Sequence, residues 1–353
     1  MDILDNPFAI LDVTTRDDRH QIMVVAEEKS LLSDGGEASD ASSALTNPRK
    51  RLAAEVAWLP GVGPRRAKES VSLVQSNAKA ILELESLPAL AKSNLVAAGL
   101  LRAVTVLRTE EVADWIVELA EAHDNIDAGS TMTLINEERS VAGFPSAKDV
   151  HAFEAELDGR RQYYRTVIKD ALNHLPSLEL VKAVTRAVDV ATEDGERHAP
   201  VLIDDIVDSF EVEAQDFLEK ETKNIDTLIN NIRSFAEVEK DDGILEPLIT
   251  KLEEVVKNWD LIAQPIQVSA RSRGLDHELS HQVAGEVRGL AIELFNQHDH
   301  LEISQRLTTL NQEVFAEVDR VVEQTDEDAA TLDDIAEQRT EYLNNVKAHA
   351  EQW

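Results

Sequence analysis

The chain has 353 residues, 68 of them acidic and 35 basic, giving a formal net charge of −33; 43% are hydrophobic, 4% aromatic, and none is cysteine. A chain this acidic repels phosphate backbones and anionic headgroups, whose binding depends on clustered Lys and Arg, so general nucleic-acid binding and direct membrane insertion are excluded as leading functions. Without cysteine there is no disulfide framework, thiol nucleophile or thiolate metal site, which fits a reducing compartment.

The length predicts two or three domains, and the apolar share is ample for burial. Abundant Ala, Leu, Val, Glu and Asp favour helices. The opening "MDILDN" has neither the basic region nor the apolar core of a signal peptide, and no apolar run is read as long enough to span a bilayer, so the expected location is the cytoplasm. Asn6-Pro7 then starts a short helix carrying Phe8, Ile10, Leu11 and Val13. A second helix is predicted over 17–32, with Ile22, Val25, Ala26 and one or both of Leu31 and Leu32 facing inward, and Ser33-Asp34-Gly35-Gly36 stops it. A third is predicted over 39–59, with Leu45, Leu52, Val56 and Leu59 on one side.

A short helix reading "FAILDV", a longer helix, a loop, and a third helix reading "ALTNPRKRL" together resemble the J domain of DnaJ-type co-chaperones over about residues 6–58. The resemblance implies a small three-helix head that engages a DnaK-type chaperone ATPase. Two departures accompany it. The family's His-Pro-Asp tripeptide, which stimulates that ATPase, is replaced by Ser33, Asp34, Gly35 and Gly36; and the second helix, basic in active members, carries Asp17, Asp18, Glu27 and Glu28 against Arg19 and Lys29. Docking without stimulation is the resulting expectation.

Between Ala44 and Lys68 lie six basic side chains, Arg49, Lys50, Arg51, Arg65, Arg66 and Lys68, relieved only by Glu55. In so negative a chain they stand out to an anionic partner, the alternative being local pairing with neighbouring acids. Residues 33–36 with Arg49, Lys50, Arg51, Arg65 and Arg66 are therefore the candidate partner-binding set.

The stretch 59–64, "LPGVGP", is the clearest boundary in the chain, and helices follow it to the end. They are predicted over 64–84, 86–107, 109–125, 129–142, 146–175, 177–193, 199–239, 244–270, 274–297, 299–325 and 327–351, with no hairpin or alternating strand pattern. One apolar stripe runs through Ile203, Val207, Phe210, Ala214 and Phe217, then slips and resumes at Ile225, Leu228, Ile232 and Phe235. After Asp241-Asp242-Gly243, a facing stripe uses Ile244, Leu248, Leu252, Val255, Trp259, Ile262 and Ile266, which predicts a coiled-coil-like antiparallel hairpin. Pro265 is expected to kink or interrupt the second helix, and Arg271, Arg273 and Arg288 are unusual in so acidic a region.

For chemistry, His277-Glu278-Leu279-Ser280-His281 matches the HExxH zinc-protease pattern, a short motif with a high rate of chance matches and here without the accompanying sheet. No phosphate-binding loop or nucleophile elbow occurs. The expectation is thus an all-α chain of three parts: a J-like head (1–63), a helical domain (64–195) and a helical hairpin or elongated bundle (196–353). It is expected to act as a non-enzymatic adaptor with a protein partner and no cofactor or metal; an assembly subunit using its hairpins to form a homo- or hetero-oligomer is the alternative, and a zinc hydrolase a distant third.

Overall fold

The computed structural model describes residues 1–32, 36–238 and 242–350. Among them every regular element is helical and no strand occurs. Two compact units divide the chain: Met1–Ala191 with Pro200–Ile206, and Thr192–Ala199 with Val207–Trp353. The 59–64 stretch therefore lies inside the first unit, and residues 1–63 are not a separate compact body.

The first unit begins with α1 (Pro7–Leu11), opened by Asn6, whose side-chain oxygen accepts from Phe8 N at 3.1 Å. In α2 (Arg19–Leu32), Asp18 and Gln21 cap the start reciprocally: the Asp18 carboxylate accepts from Gln21 N at 2.8 Å, and the Gln21 carbonyl accepts from Asp18 N at 2.9 Å. Ile22 and Ala26 are buried, whereas Leu31 and Leu32 face solvent, contrary to the inward placement expected of them. They lie one or more residues off the four-residue repeat set by Ile22 and Ala26.

The single helix expected over 39–59 is two: α3 (Glu37–Thr46) and α4 (Pro48–Val56). Pro48 disfavours helical backbone at the preceding residue, and Asn47 accordingly sits extended at φ −89°, ψ 122° and caps α4 through Arg49 N and Lys50 N. Asn6 Nδ2 donates to Ala54 O at 2.8 Å, tying α1 to α4.

The supposed linker is packed. Trp58, Leu59 and Val62 are buried, and Gly61 adopts φ 77° where an added Cβ would lie 3.0 Å from Pro88 and 3.1 Å from Leu134. Beyond it come α5 (Pro64–Ser76), a 3-10 turn (Ala78–Glu83), α6 (Ala89–Ala103), a second 3-10 turn (Val104–Val106), α7 (Thr109–Asp124), α8 (Ala128–Val141), α9 (Val150–Asn173) and α10 (Ser177–Thr192). Leu52 and Val56 of α4 pack with Leu90 of α6, Ile135 of α8 and Phe153 of α9 in one cluster.

Ala89–Val106 is, by length and composition, apolar enough to cross a membrane, a length the sequence reading had not found. It is instead largely buried as the central helix of the first unit. Its one strongly polar buried side chain, Asn94, is fully satisfied: Nδ2 donates to Val56 O (3.0 Å) and Trp58 O (2.6 Å), and Oδ1 accepts from Arg160 (2.5 Å) and Tyr164 (2.7 Å). On another face, a Cβ at Gly99 would stand 2.7 Å from the buried Trp115 ring. Gly99→Ala is therefore expected to lose about 1–3 kcal/mol to overpacking despite its better helix propensity, as read by urea denaturation.

The second unit holds most of α11 (Val201–Val238), with α12 (Asp242–Ser272), α13 (Glu278–His298), α14 (Leu301–Val314) and α15 (Asp319–Ala350). Trp259 Nε1 donates to Thr222 Oγ1 at 3.1 Å and Arg273 to Asp208 at 2.9 Å; both contacts are centred on the same point of the chain, so α11 and α12 run antiparallel. The buried stripe differs from the predicted one. Ile225, Ile229, Ile232 and Ala236 are inside, Phe217 and Phe235 are exposed, and α12 contributes Leu245, Ile249, Leu252, Val256, Trp259 and Ala263. The side chain of Ile244 and the start of the expected 241–243 turn lie outside the described residues.

Helix α12 continues through Pro265 to Ser272. Burial of Pro265 and Ile266 against the core outweighs the hydrogen bond that proline removes. The break expected near residue 326 is absent. Thr325 lies within α15 and bonds back to Val321 O at 2.8 Å, while the chain turns at 315–318, where no Gly or Pro marks it.

Candidate functional site

The basic island separates into three groups with different fates. Arg51 is 0% exposed, stacked 3.7 Å from the Phe144 ring centre and 5.5 Å from that of Phe8. Its Nε donates to Glu55 Oε1 at 2.7 Å and its Nη2 to Thr15 O at 2.9 Å. Arg139 of α8, also buried, donates to Glu55 Oε2 at 2.7 Å and to Pro145 O at 3.1 Å. Burial pushes the Glu55 carboxyl up, and the two guanidiniums oppose that shift. Arg51 is therefore withdrawn from the partner-binding set: it is a buried strut that holds the N-terminal helices to α8.

Arg65, Arg66 and Lys68 are exposed but engaged locally. Arg65 pairs with Glu69 at 2.8 Å, Arg66 donates to the backbone carbonyls of Glu85 and Ser86, and Lys68 pairs with Asp12 at 2.8 Å. Arg49 and Lys50 are the exposed cations of the island for which no acidic partner is found among the described residues. Ser33, Asp34 and Gly35 lie outside the described residues, and Gly36 precedes α3 without a side-chain cap.

Sequence reasoning missed the surface of α2. Leu31 is 83% exposed and Leu32 89%, so the helix presents apolar side chains next to the 33–36 connection, and Met23, near its start, is 54% exposed. The signal was present in the mismatch between Leu31, Leu32 and the repeat set by Ile22 and Ala26. No family model, curated protein or solved structure matches the chain.

The HExxH stretch does not form a helical histidine pair. His277 is the N-cap residue of α13, and only His281 is within the helix. His277 Nδ1 lies 2.6 Å from Ser280 Oγ and its ring stacks on Trp259 with centroids 6.4 Å apart, whereas His281 Nε2 meets Asp276 at 3.3 Å. Burial pushes His277 down to about 4, so the imidazole is neutral at pH 7. Among the described residues no group of three candidate ligands converges on a metal position.

The three arginines that stood out in the second unit all have acidic partners. Arg271 reaches Glu196 (2.6 Å) and Asp319 (3.6 Å), Arg273 reaches Asp208 (2.9 Å), and Arg288 grips Asp328 with two bonds of 2.5 and 3.1 Å. They pin helices together rather than offer charge to a partner.

Proposed function

We propose that this chain is a non-enzymatic, chaperone-associated adaptor whose degenerate J-like head docks a DnaK-like ATPase or a dedicated protein partner, while its remaining helices hold a client or scaffold. The observation that carries the reading is the exposed apolar end of α2, Leu31 and Leu32, beside the connection where the J-domain signature would stand. Exposed large apolar side chains on a chain so rich in charge favour a protein contact. Arg49 and Lys50 add a pair of exposed cations on the same N-terminal segment. The Ser33-Asp34-Gly35-Gly36 replacement of His-Pro-Asp argues for docking without stimulation of ATP turnover.

Capture on a DnaK-type chaperone tests this. The intact protein is expected to be retained without raising ATP turnover, and a Leu31→Asp, Leu32→Asp double variant to lose retention while unfolding at the same denaturant concentration. Failure of the intact protein to be retained, with turnover also unchanged, discards the DnaK-type partner.

A second reading, a subunit of a helical assembly, draws on α15, where Tyr342, Leu343 and Val346 are exposed at helical spacing. Light scattering of the intact chain beside a Leu343→Asp, Val346→Asp variant separates the two: an assembly subunit shows a mass above that of one chain, lost in the variant.

A further inference from the structure

Three consecutive residues between α10 and α11 are left-handed: Glu193, Asp194 and Gly195 have φ of 52°, 57° and 88°. Glycine takes this geometry freely, but an L side chain crowds its following carbonyl, so left-handed residues ordinarily occur singly, and two non-glycine ones in succession carry strain. A turn of this kind persists only where its surroundings hold it.

The segment 192–199 belongs with the second unit, although Ala191 before it and Pro200 after it belong with the first. Thr192 is fully buried and staples the turn from within: its Oγ1 accepts from Gly195 N at 2.9 Å and its carbonyl from Arg197 N at 2.7 Å. From outside, the turn rests on the end of α12. Gly195 is buried, and a Cβ there would lie 3.1 Å from the Arg271 side chain and 3.4 Å from Val268 O. The Arg271 guanidinium then reaches Glu196 at 2.6 Å and Asp319, the first residue of α15, at 3.6 Å. One cation thus joins three elements. Like charge opposes the same seat, because Asp194 bears on the Glu317 carboxyl, and Glu196 and Asp319 share one guanidinium.

We infer that residues 192–199 form a spring-loaded strap on the second unit, latched by Arg271, which opens locally while the helices beneath it stay folded. Opening relieves the left-handed turn. The latch is within reach of solvent, the Arg271 side chain being 32% exposed, so ionic strength sets how often the strap is released. The strap is remote in sequence from the α2 surface and carries no part of the adaptor reading, so its failure leaves that reading untouched.

Native-state hydrogen exchange of the intact protein tests it, under conditions where exchange follows the opening equilibrium. The amides of Gly195 and Arg197, both held by Thr192, report the strap, and those of Trp259 and Ala263 report α12. The strap amides are expected to open together, at least about 100-fold more often than the α12 amides and without dependence on low denaturant. Raising salt from about 50 mM to about 1 M should increase their opening by about two- to fivefold, and Glu196→Gln should do the same while removing most of the salt effect. Strain is read from two variants, Glu193→Gly and Glu193→Ala, which lose the same carboxylate and its 3.5 Å pair with Arg197. The Gly variant should open about fivefold less often than the Ala variant, because only glycine is at ease with φ above zero. An unstrained turn gives the reverse order, since glycine then favours the open chain. That reverse order, opening of the strap amides only together with α12, or indifference to both salt and Glu196→Gln would overturn the inference.

Discussion

Replacing Glu55 with alanine is expected to destabilise the first unit by about 3–5 kcal/mol, because it strands two buried guanidiniums that share that carboxylate. Arg51 and Arg139 would keep their carbonyl partners, Thr15 O and Pro145 O, but lose the carboxylate that, among the described residues, alone bonds both. A loss of this size is a large fraction of the stability of an ordinary domain. Urea denaturation followed by circular dichroism reads it directly. The contrast with neighbouring cations is the sharper part of the experiment. Arg51→Ala should behave like Glu55→Ala, whereas Arg49→Glu and Lys50→Glu, both exposed, should each change stability by no more than about 0.5 kcal/mol. Equal effects at all three positions would mean that the Arg51 strut contributes no more than a surface charge.

The second large effect is a pH dependence in the second unit. Burial, reinforced by repulsion from Glu317, pushes the Asp260 carboxyl up to about 8. A carboxyl raised in this way favours the folded state fully below its unfolded value, and that contribution is lost as pH rises towards the folded value. His277 works in the opposite direction. Held down at about 4 by burial, it makes stability rise between about 4 and its ordinary value near 6.5. The two slopes offset each other in mildly acidic solution, and the Asp260 effect emerges above pH 6.5. Stability should fall by about 2 kcal/mol between pH 6.5 and pH 8, at 1.36 kcal/mol per pH unit for one proton. Glu317, also raised by burial, adds in the same sense, while Arg271 opposes it. Asp260→Asn should remove most of this fall and be more stable than the wild type at pH 8, as measured by thermal or urea unfolding across the range. A flat wild-type profile from pH 6.5 to 8 would show that Asp260 is already ionised in the fold.

The helices themselves were legible because their punctuation is local. Asn6-Pro7 opens α1, Asp18 and Gln21 cap α2, and Gly143 closes the α8 segment at φ 70°. Positions whose meaning depends on distant partners were not. The basic string at 49–51 reads as one patch, yet only tertiary structure brings Glu55 and Phe144 around Arg51 and leaves Arg49 and Lys50 in solvent. The 59–64 stretch has a linker's composition, and its burial follows from Pro88 and Leu134 closing over Gly61. Ile229 and Ala236 replaced Leu228 and Phe235 in the α11 stripe because neighbouring apolar positions on a long helix compete for one buried seam, and a one-residue choice rotates the face by about 100°. The raised Asp260 carboxyl could not be read from α12 alone, because Glu317, which repels it, is brought to it by a turn that carries no sequence mark.

The N-terminal helices are an integral part of the first unit, fixed there by Arg51, Glu55, Arg139 and Asn94, and the α2 surface is presented from that rigid base. Native-state hydrogen exchange across residues 19–56 and 89–173 tests this most directly. The slowest amides of α3 and α4 should open with the same free energy and denaturant dependence as those of α6 and α9. Opening of α3 and α4 at markedly lower free energy, with α6 and α9 still protected, would contradict it and restore the head as a separate domain.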